Sequence, residues 1–198
     1  MSKAVLMSIK KEWCDLIFSG KKTVEVRKRA PLAIDDPYTV YVYETKGYER
    51  FENESYTGVK RGNGAGAVIG QFTCKYTDKK ILPYPAYQKE LPRKLLDAAC
   101  LTYSDLHRYV GSGNEFSALH ITRAIRYDKP KPLNDFYRWL DDGDDIRPCA
   151  NWKKCDYEFF DYSENAVMCA VDGDGTGCPF LRVQRAPQSW CYVEELKK

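Results

Sequence analysis

The chain has 198 residues, 43% of them hydrophobic and 14% aromatic, with 31 basic against 28 acidic side chains and a net charge of +3. That length supports one sizeable core rather than two full domains, and that apolar content excludes a disordered tail. So small a charge surplus excludes a protein that coats nucleic acid non-specifically, because such binding neutralises many phosphates at once; recognition of RNA would be confined to a local pocket.

No run approaches the roughly 20 apolar residues of a membrane span. Lys3, Lys10 and Lys11 bracket too short an apolar stretch for a signal peptide. A cytoplasmic location is expected, where eight cysteines are reduced thiols or metal ligands sooner than disulfides.

Residues 4–9 (AVLMSI) read as an opening strand. Residues 10–19 read as a helix, with Trp13, Leu16 and Ile17 at helical spacing and Gly20 as its C-terminal cap. Residues 23–28 and 39–44 alternate with period two, a strand signal. The polar, glycine-bearing stretch from Tyr48 to Gly66 reads as a long loop. Strand character returns over 67–77, with Gly70 marking a bulge or a close backbone approach.

Two short helices are expected within 91–110, the second announced by Thr102 with Asp105 three residues on. Residues 116–127 read as a long strand, the KPKP of 129–132 as a turn, and 133–140 as a short helix. Residues 141–182 are acidic, glycine-bearing and Cys-rich with little periodicity, an insertion into a single domain spanning 1–198. A final strand covers 189–196. Many short strands, few helices and strands at both ends predict an α+β fold built on a closed barrel.

The segment from Gly20 to Arg27 (GKKTVEVR) carries the strongest motif. On a strand, Thr23, Glu25 and Arg27 leave one face while Val24 and Val26 leave the other. Glu25 and Arg27 then stand roughly 6.5–7 Å apart along the strand, with Lys22 at the turn beside them. A carboxylate accepts hydrogen bonds from a base edge, and Arg and Lys bind phosphate or steady developing negative charge. The bland alternative is a surface Glu–Arg pair worth at most about 1 kcal/mol, with the valines in the core.

G-x-K-x-x-E-x-R, filled by Gly20, Lys22, Glu25 and Arg27, resembles the signature of the ASCH family. The flanking sequence from Val5 to Lys28, the stretch 118–136 and the stretch 186–195 are similar to phage and bacterial members. The resemblance implies a PUA-like barrel with a cleft between the first helix and the barrel, binding RNA or a nucleotide. It also admits a hydrolase acting on a modified nucleoside such as acetylcytidine, or a ribonuclease, with Lys22 and Glu25 as catalytic residues. In the hydrolase branch a Lys and a Thr three residues apart act in catalysis. Lys22 matches the Lys, but Glu25 occupies the Thr position, and a carboxylate cannot replace that hydroxyl as acyl-enzyme nucleophile.

Further candidates lie outside the motif. His120 shares a strand face with Ala118 and Thr122; it is either a proton carrier facing the cleft or a hydrogen-bonded strand histidine. Gln188 and Ser189, at the mouth of the last strand, suit base-edge readout, and Trp190 either stacks on a base or fills the core. Cys149, Cys155, Cys169 and Cys178 follow C-x5-C…C-x8-C, looser than a zinc ribbon. Zinc on these thiolates would order the insertion and present a surface to a protein partner; free thiols and disulfides are the alternatives. Cys14, Cys74, Cys100 and Cys191 sit in apolar contexts and read as core residues.

Overall fold

The computed structural model describes residues 2–53, 56–82, 93–113, 115–139, 160–161, 168–169 and 182–196. The main element is a six-stranded sheet in the order β10-β1-β3-β6-β7-β2. Its strands are β1 (Lys3–Ile9), β2 (Val24–Arg27), β3 (Tyr38–Glu44), β6 (Ala67–Ile81), β7 (Glu115–Lys131) and β10 (Trp190–Glu194). β1 runs parallel to β3, and the other neighbouring pairs are antiparallel. The run Ala4–Ile9 is buried throughout, since β1 lies inside the sheet and is covered on both faces.

Three helices flank the sheet among the described residues: α1 (Lys11–Phe18), α2 (Arg93–Ala99) and α3 (Tyr103–Val110). Cys14 and Ile17 of α1 pack on Met7, Val40, Val42, Phe72 and Leu119. α2 and α3 cover the opposite face of β2 and β7, setting Ala99, Leu106 and Val110 against Val24, Val26, Phe116 and Ala118. A third cluster joins Leu6, Tyr41, Val68, Phe136, Val183 and Val193. Alternation within β2 therefore decides what each face does: the valines seal the helices, and Glu25 and Arg27 turn inward.

Several expectations need correcting. The sheet does not close into a barrel. β2 is four residues long and pairs only with β7, so no ladder joins it to β10 at the other edge. The two edges nonetheless meet, through side chains. Trp190 Nε1 donates to Arg29 O at 2.9 Å, Arg27 Nη2 to Ser8 O at 2.8 Å, and Ala33 N to Tyr192 Oη at 2.8 Å. The result is a seam stitched by side chains where a closed barrel would carry backbone hydrogen bonds.

The segment read as a loop from Tyr48 holds a hairpin, β4 (Tyr48–Asn53) with β5 (Tyr56–Arg61), in register Tyr48↔Arg61 to Asn53↔Tyr56. Its polar composition gave no apolar alternation, but a backbone ladder requires none. The KPKP turn is absent: β7 continues to Lys131. Its ladder with β6 jumps from Gly70↔Arg126 to Val68↔Lys131, so Pro130, which has no N–H, sits where no ladder bond is asked of it. The helix expected over 133–140 is a single 3-10 turn, Leu133–Asp135, followed by bridges from Tyr137 to Arg182 and from Arg138 to Val193.

Gly70 does mark a close approach, since a Cβ there would lie 2.5 Å from the Phe18 ring and 2.4 Å from Ile125 O. The capping box at Thr102 and Asp105 is present. Two short strands, β8 (Phe160–Asp161) and β9 (Met168–Cys169), pair with each other.

Candidate functional site

Each residue of the motif has a physical task. Gly20 ends α1 with φ +75°, a left-handed conformation that side chains resist, and nothing crowds its missing Cβ. Backbone bonds from Lys22 N to Leu16 O and from Thr23 N to Ala98 O then pin the entry to β2. Lys22 folds inward until only 3% of it is exposed, and its Nζ donates to Ala99 O at 2.6 Å. The same ammonium lies 3.5 Å from Glu25 Oε2 and 5.0 Å from the centre of the Trp13 ring.

Glu25 is 6% exposed and Arg27 9% exposed, with Glu25 Oε1 3.0 Å from Arg27 Nε. That ion pair is close but poorly aligned, and Arg27 Nε makes no hydrogen bond. Arg27 instead spends Nη2 on Ser8 O, bridging β2 to β1. The acid and the base thus leave β2 on one face, as their spacing required, and are far more deeply set than a surface pair.

They are not sealed. The three side chains line a cavity of about 530 Å³ bounded by Ser8, Trp13, Leu101 and, from α3, by Asp105, Arg108 and Tyr109. Its charged lining comprises Lys10, Lys22, Arg27 and Arg108 against Glu25 and Asp105, a local excess of two positive charges. The cavity falls in the size range of small-ligand sites. Beneath it, burial pushes the Cys14 thiol well above its ordinary pKa, so it stays protonated and inert.

The other sequence candidates are placed unevenly. His120 pairs across the sheet with Val24, on the face that carries the α2 and α3 helices, and does not line this cavity. Its Nε2 lies 3.2 Å from Asp78 Oδ2 and its ring stacks on Tyr76 at 4.0 Å. Ser189 accepts from Ser8 N at 2.9 Å, and Ser8 Oγ donates to Pro187 O at 2.6 Å, so the Pro187–Ser189 backbone stands directly behind a wall of the cavity. Gln188 is exposed there, outside the lining. Trp190 is half-buried and lines a different cavity, along the seam.

Thr23 is exposed and does not line the motif cavity. Cys149, Cys155 and Cys178 lie outside the described residues, and Cys169 is described only by its backbone in β9. Of the other cysteines, Cys14 and Cys74 are buried, while Cys100 and Cys191 are partly exposed.

Sequence reasoning missed the α3 wall. Asp105, Arg108 and Tyr109 stand at i, i+3 and i+4, one face of a helix, and that spacing was the available signal.

The family model for the ASCH domain matches residues 7–131, a span holding the motif, four of the six main strands and the last three residues of β1. The chain belongs to the ASCH domain family. This is a PUA-like family often linked to RNA binding. Among solved structures the chain resembles the crystal structure of ASCH from Zymomonas mobilis at 19% identity and a TM-score of 0.46, covering 66% of this chain and 73% of that one. Two single-residue mutants of that protein match at TM-scores of 0.47 and 0.46, again at 19% identity and 66% of this chain, covering 76% and 74% of theirs. No curated protein matches the sequence significantly. Among the described residues, no helix of this ASCH protein is long and apolar enough to cross a membrane.

Proposed function

We propose that this ASCH protein binds a nucleobase and its attached phosphate in the cavity over Glu25, the base being free as a nucleotide or presented by single-stranded RNA. The observation that carries the reading is a buried carboxylate held between two buried cations at the floor of an opening. A carboxylate fixed in this way accepts N–H groups from a base edge without first paying to be ordered. The excess of positive lining charge suits a phosphate, and the rings of Trp13 and Tyr109 offer flanking apolar surface.

Binding without turnover is the reading favoured here. Lys22 Nζ is already engaged by Ala99 O and Glu25, and the exposed Thr23 is no nucleophile for a ligand in this cavity. Calorimetric titration with nucleoside monophosphates, modified nucleosides and short RNAs tests the proposal. The wild type is expected to bind at least one of them, and Glu25→Gln and Arg108→Ala each to weaken it about ten-fold, a loss of roughly 1.4 kcal/mol. No binding by the wild type, or variants that both bind as tightly as the wild type, refutes it. Acetylcytidine is expected to survive incubation intact; a product lost on Lys22→Ala would turn the assignment to hydrolysis.

A further inference from the structure

The seam holds a second cavity, larger than the first. About 710 Å³ in volume, it lies beyond Arg27, where Lys28 and Arg29 leave β2, Lys79 and Lys80 end β6, and Trp190 and Tyr192 begin β10. Those four cations face one carboxylate in the lining, Glu115. Asp78 offsets part of this charge through its ion pair with Lys80 at 3.3 Å, whereas Lys28, Arg29 and Lys79 are exposed. On a chain with a net charge of only +3, so many cations around one hollow amount to a local concentration.

The two cavities are consecutive. Arg27 lines the first and Lys28 the second, while the Lys28 ammonium lies 5.8 Å from the centre of the Tyr109 ring, a wall of the first. On the other bank, Ser189 is bonded to Ser8 of the first cavity, and the next residue, Trp190, lines the second. Only one or two residues of chain, roughly 3.3–6.6 Å if extended, separate Arg27 of the first from Lys28 and Arg29 of the second, just past the end of β2. Cations beside aromatic rings along a groove form the combination that holds the backbone and bases of a single strand.

Resting on the reading of the first cavity as a base site, we infer that the second takes the neighbouring nucleotides of a single-stranded RNA, its cations meeting the phosphodiesters and Trp190 offering ring surface to a base. A strand would then run down the seam, one base in the motif cavity and its flank in the next. The ligand is a short single-stranded RNA segment, and a lone nucleotide fills half the site.

Fluorescence anisotropy with three probes tests this: a random-sequence single-stranded RNA octamer, an equimolar mixture of the four ribonucleoside 5′-monophosphates as competitor, and polyglutamate of matched charge. Arg29→Glu with Lys79→Glu changes two exposed positions, and thermal unfolding checks that the fold survives. The wild type is expected to bind the octamer at least ten-fold more tightly than the monophosphates. The double variant is expected to lose that advantage with monophosphate affinity within two-fold of wild type, and its salt slope to flatten by about 1.4, two phosphates at roughly 0.7 each.

Equal affinity of wild type for octamer and monophosphates, or an octamer affinity untouched by the double variant, overturns the inference and leaves the base site standing. Polyglutamate competing as well as RNA overturns it too, reducing the seam to a polyanion surface. A Glu25→Gln arm separates the failures: if that variant keeps all binding, the base site falls, and the flanking role falls with it.

Discussion

Two regions of this molecule bury a glutamate almost completely, and they differ in nearly everything else. Glu25, on the edge strand β2, has a cation within 3.5 Å of each oxygen and looks into an opening. Glu44, at the end of the interior strand β3, is 3% exposed; one oxygen accepts from Ala65 N at 2.8 Å and the other has no hydrogen-bond partner. Its nearest cation, Arg126, stands 3.9 Å away and lies half in solvent. Neither seam cavity is lined by Glu44.

Burial of a charge therefore does not mark a site by itself. Glu44 clips the two ends of the β4–β5 excursion together, since Gly66 N also returns to Glu44 O at 3.0 Å. Glu25 is the counterion of two buried cations, Lys22 and Arg27, whose other hydrogen bonds go to neutral backbone carbonyls. What distinguishes a site is a compensated charge that still faces an opening.

The largest expected effect breaks that contrast on the Glu25 side. Glu25→Ala leaves Lys22 and Arg27 buried without their carboxylate, and removing one member of a buried ion pair costs about 3–5 kcal/mol. Urea unfolding should show the midpoint falling steeply at unchanged slope. A loss below about 1 kcal/mol would mean that water reaches both cations and that the cluster is a surface network.

The Glu44 side responds less. Glu44→Ala removes an acceptor from Ala65 N, but Ala65 is exposed and water replaces the lost partner, so the cost should be about 1–2 kcal/mol. Glu44→Gln keeps the acceptor and discharges the unpaired oxygen, and is expected to change stability by less than about 1 kcal/mol. If Glu44→Gln proved as harmful as Glu25→Ala, the two carboxylates would be equivalent and the distinction drawn here would fail.

The same contrast governs what could be read before the structure. Glu25 was legible because strand alternation fixes which residues share a face, and a gly-lys-glu-arg spacing at a helix-to-strand handover leaves few other placements. Glu44 closes the alternating run TVYVYE and carried no flag, because its partner, Ala65 N, is a backbone group twenty-one residues away. Closure was misjudged for a related reason. Short strands at both ends suggested a barrel, yet whether the last edge pairs with β2 depends on four residues of ladder, and the chain stitched that seam with Arg27, Trp190 and Tyr192 instead. Long-range side-chain bonds of this kind leave no periodic trace. The α3 wall went unread because a helix with Asp105 and Arg108 looks like any solvated helix until the fold says what it faces.

That wall supplies a further modest effect, and it tests how firmly the exposed side of the cavity is held. Thr102 Oγ1 accepts from Asp105 N at 3.1 Å and donates to Asp105 Oδ2 at 2.6 Å, anchoring the start of α3. Thr102→Ala should cost about 1 kcal/mol at neutral pH, the usual worth of an N-cap. The Thr102 hydroxyl, then the Thr102 backbone N–H and then Arg108 hold the Asp105 carboxyl below its ordinary range. A depressed carboxylate pKa contributes stability above the unfolded value, near 3.9, and loses it as pH falls through the folded value. Because Thr102 supplies the largest share of that depression, the gap between wild type and Thr102→Ala should narrow as pH drops below about 4, leaving only the part due to the neutral bond from Asp105 N. Urea unfolding of both proteins at pH 7 and pH 3 measures it. A gap of equal size at both pH values would show that the cap acts through geometry alone, and that the charge of Asp105 in the cavity wall is not coupled to the helix that carries it.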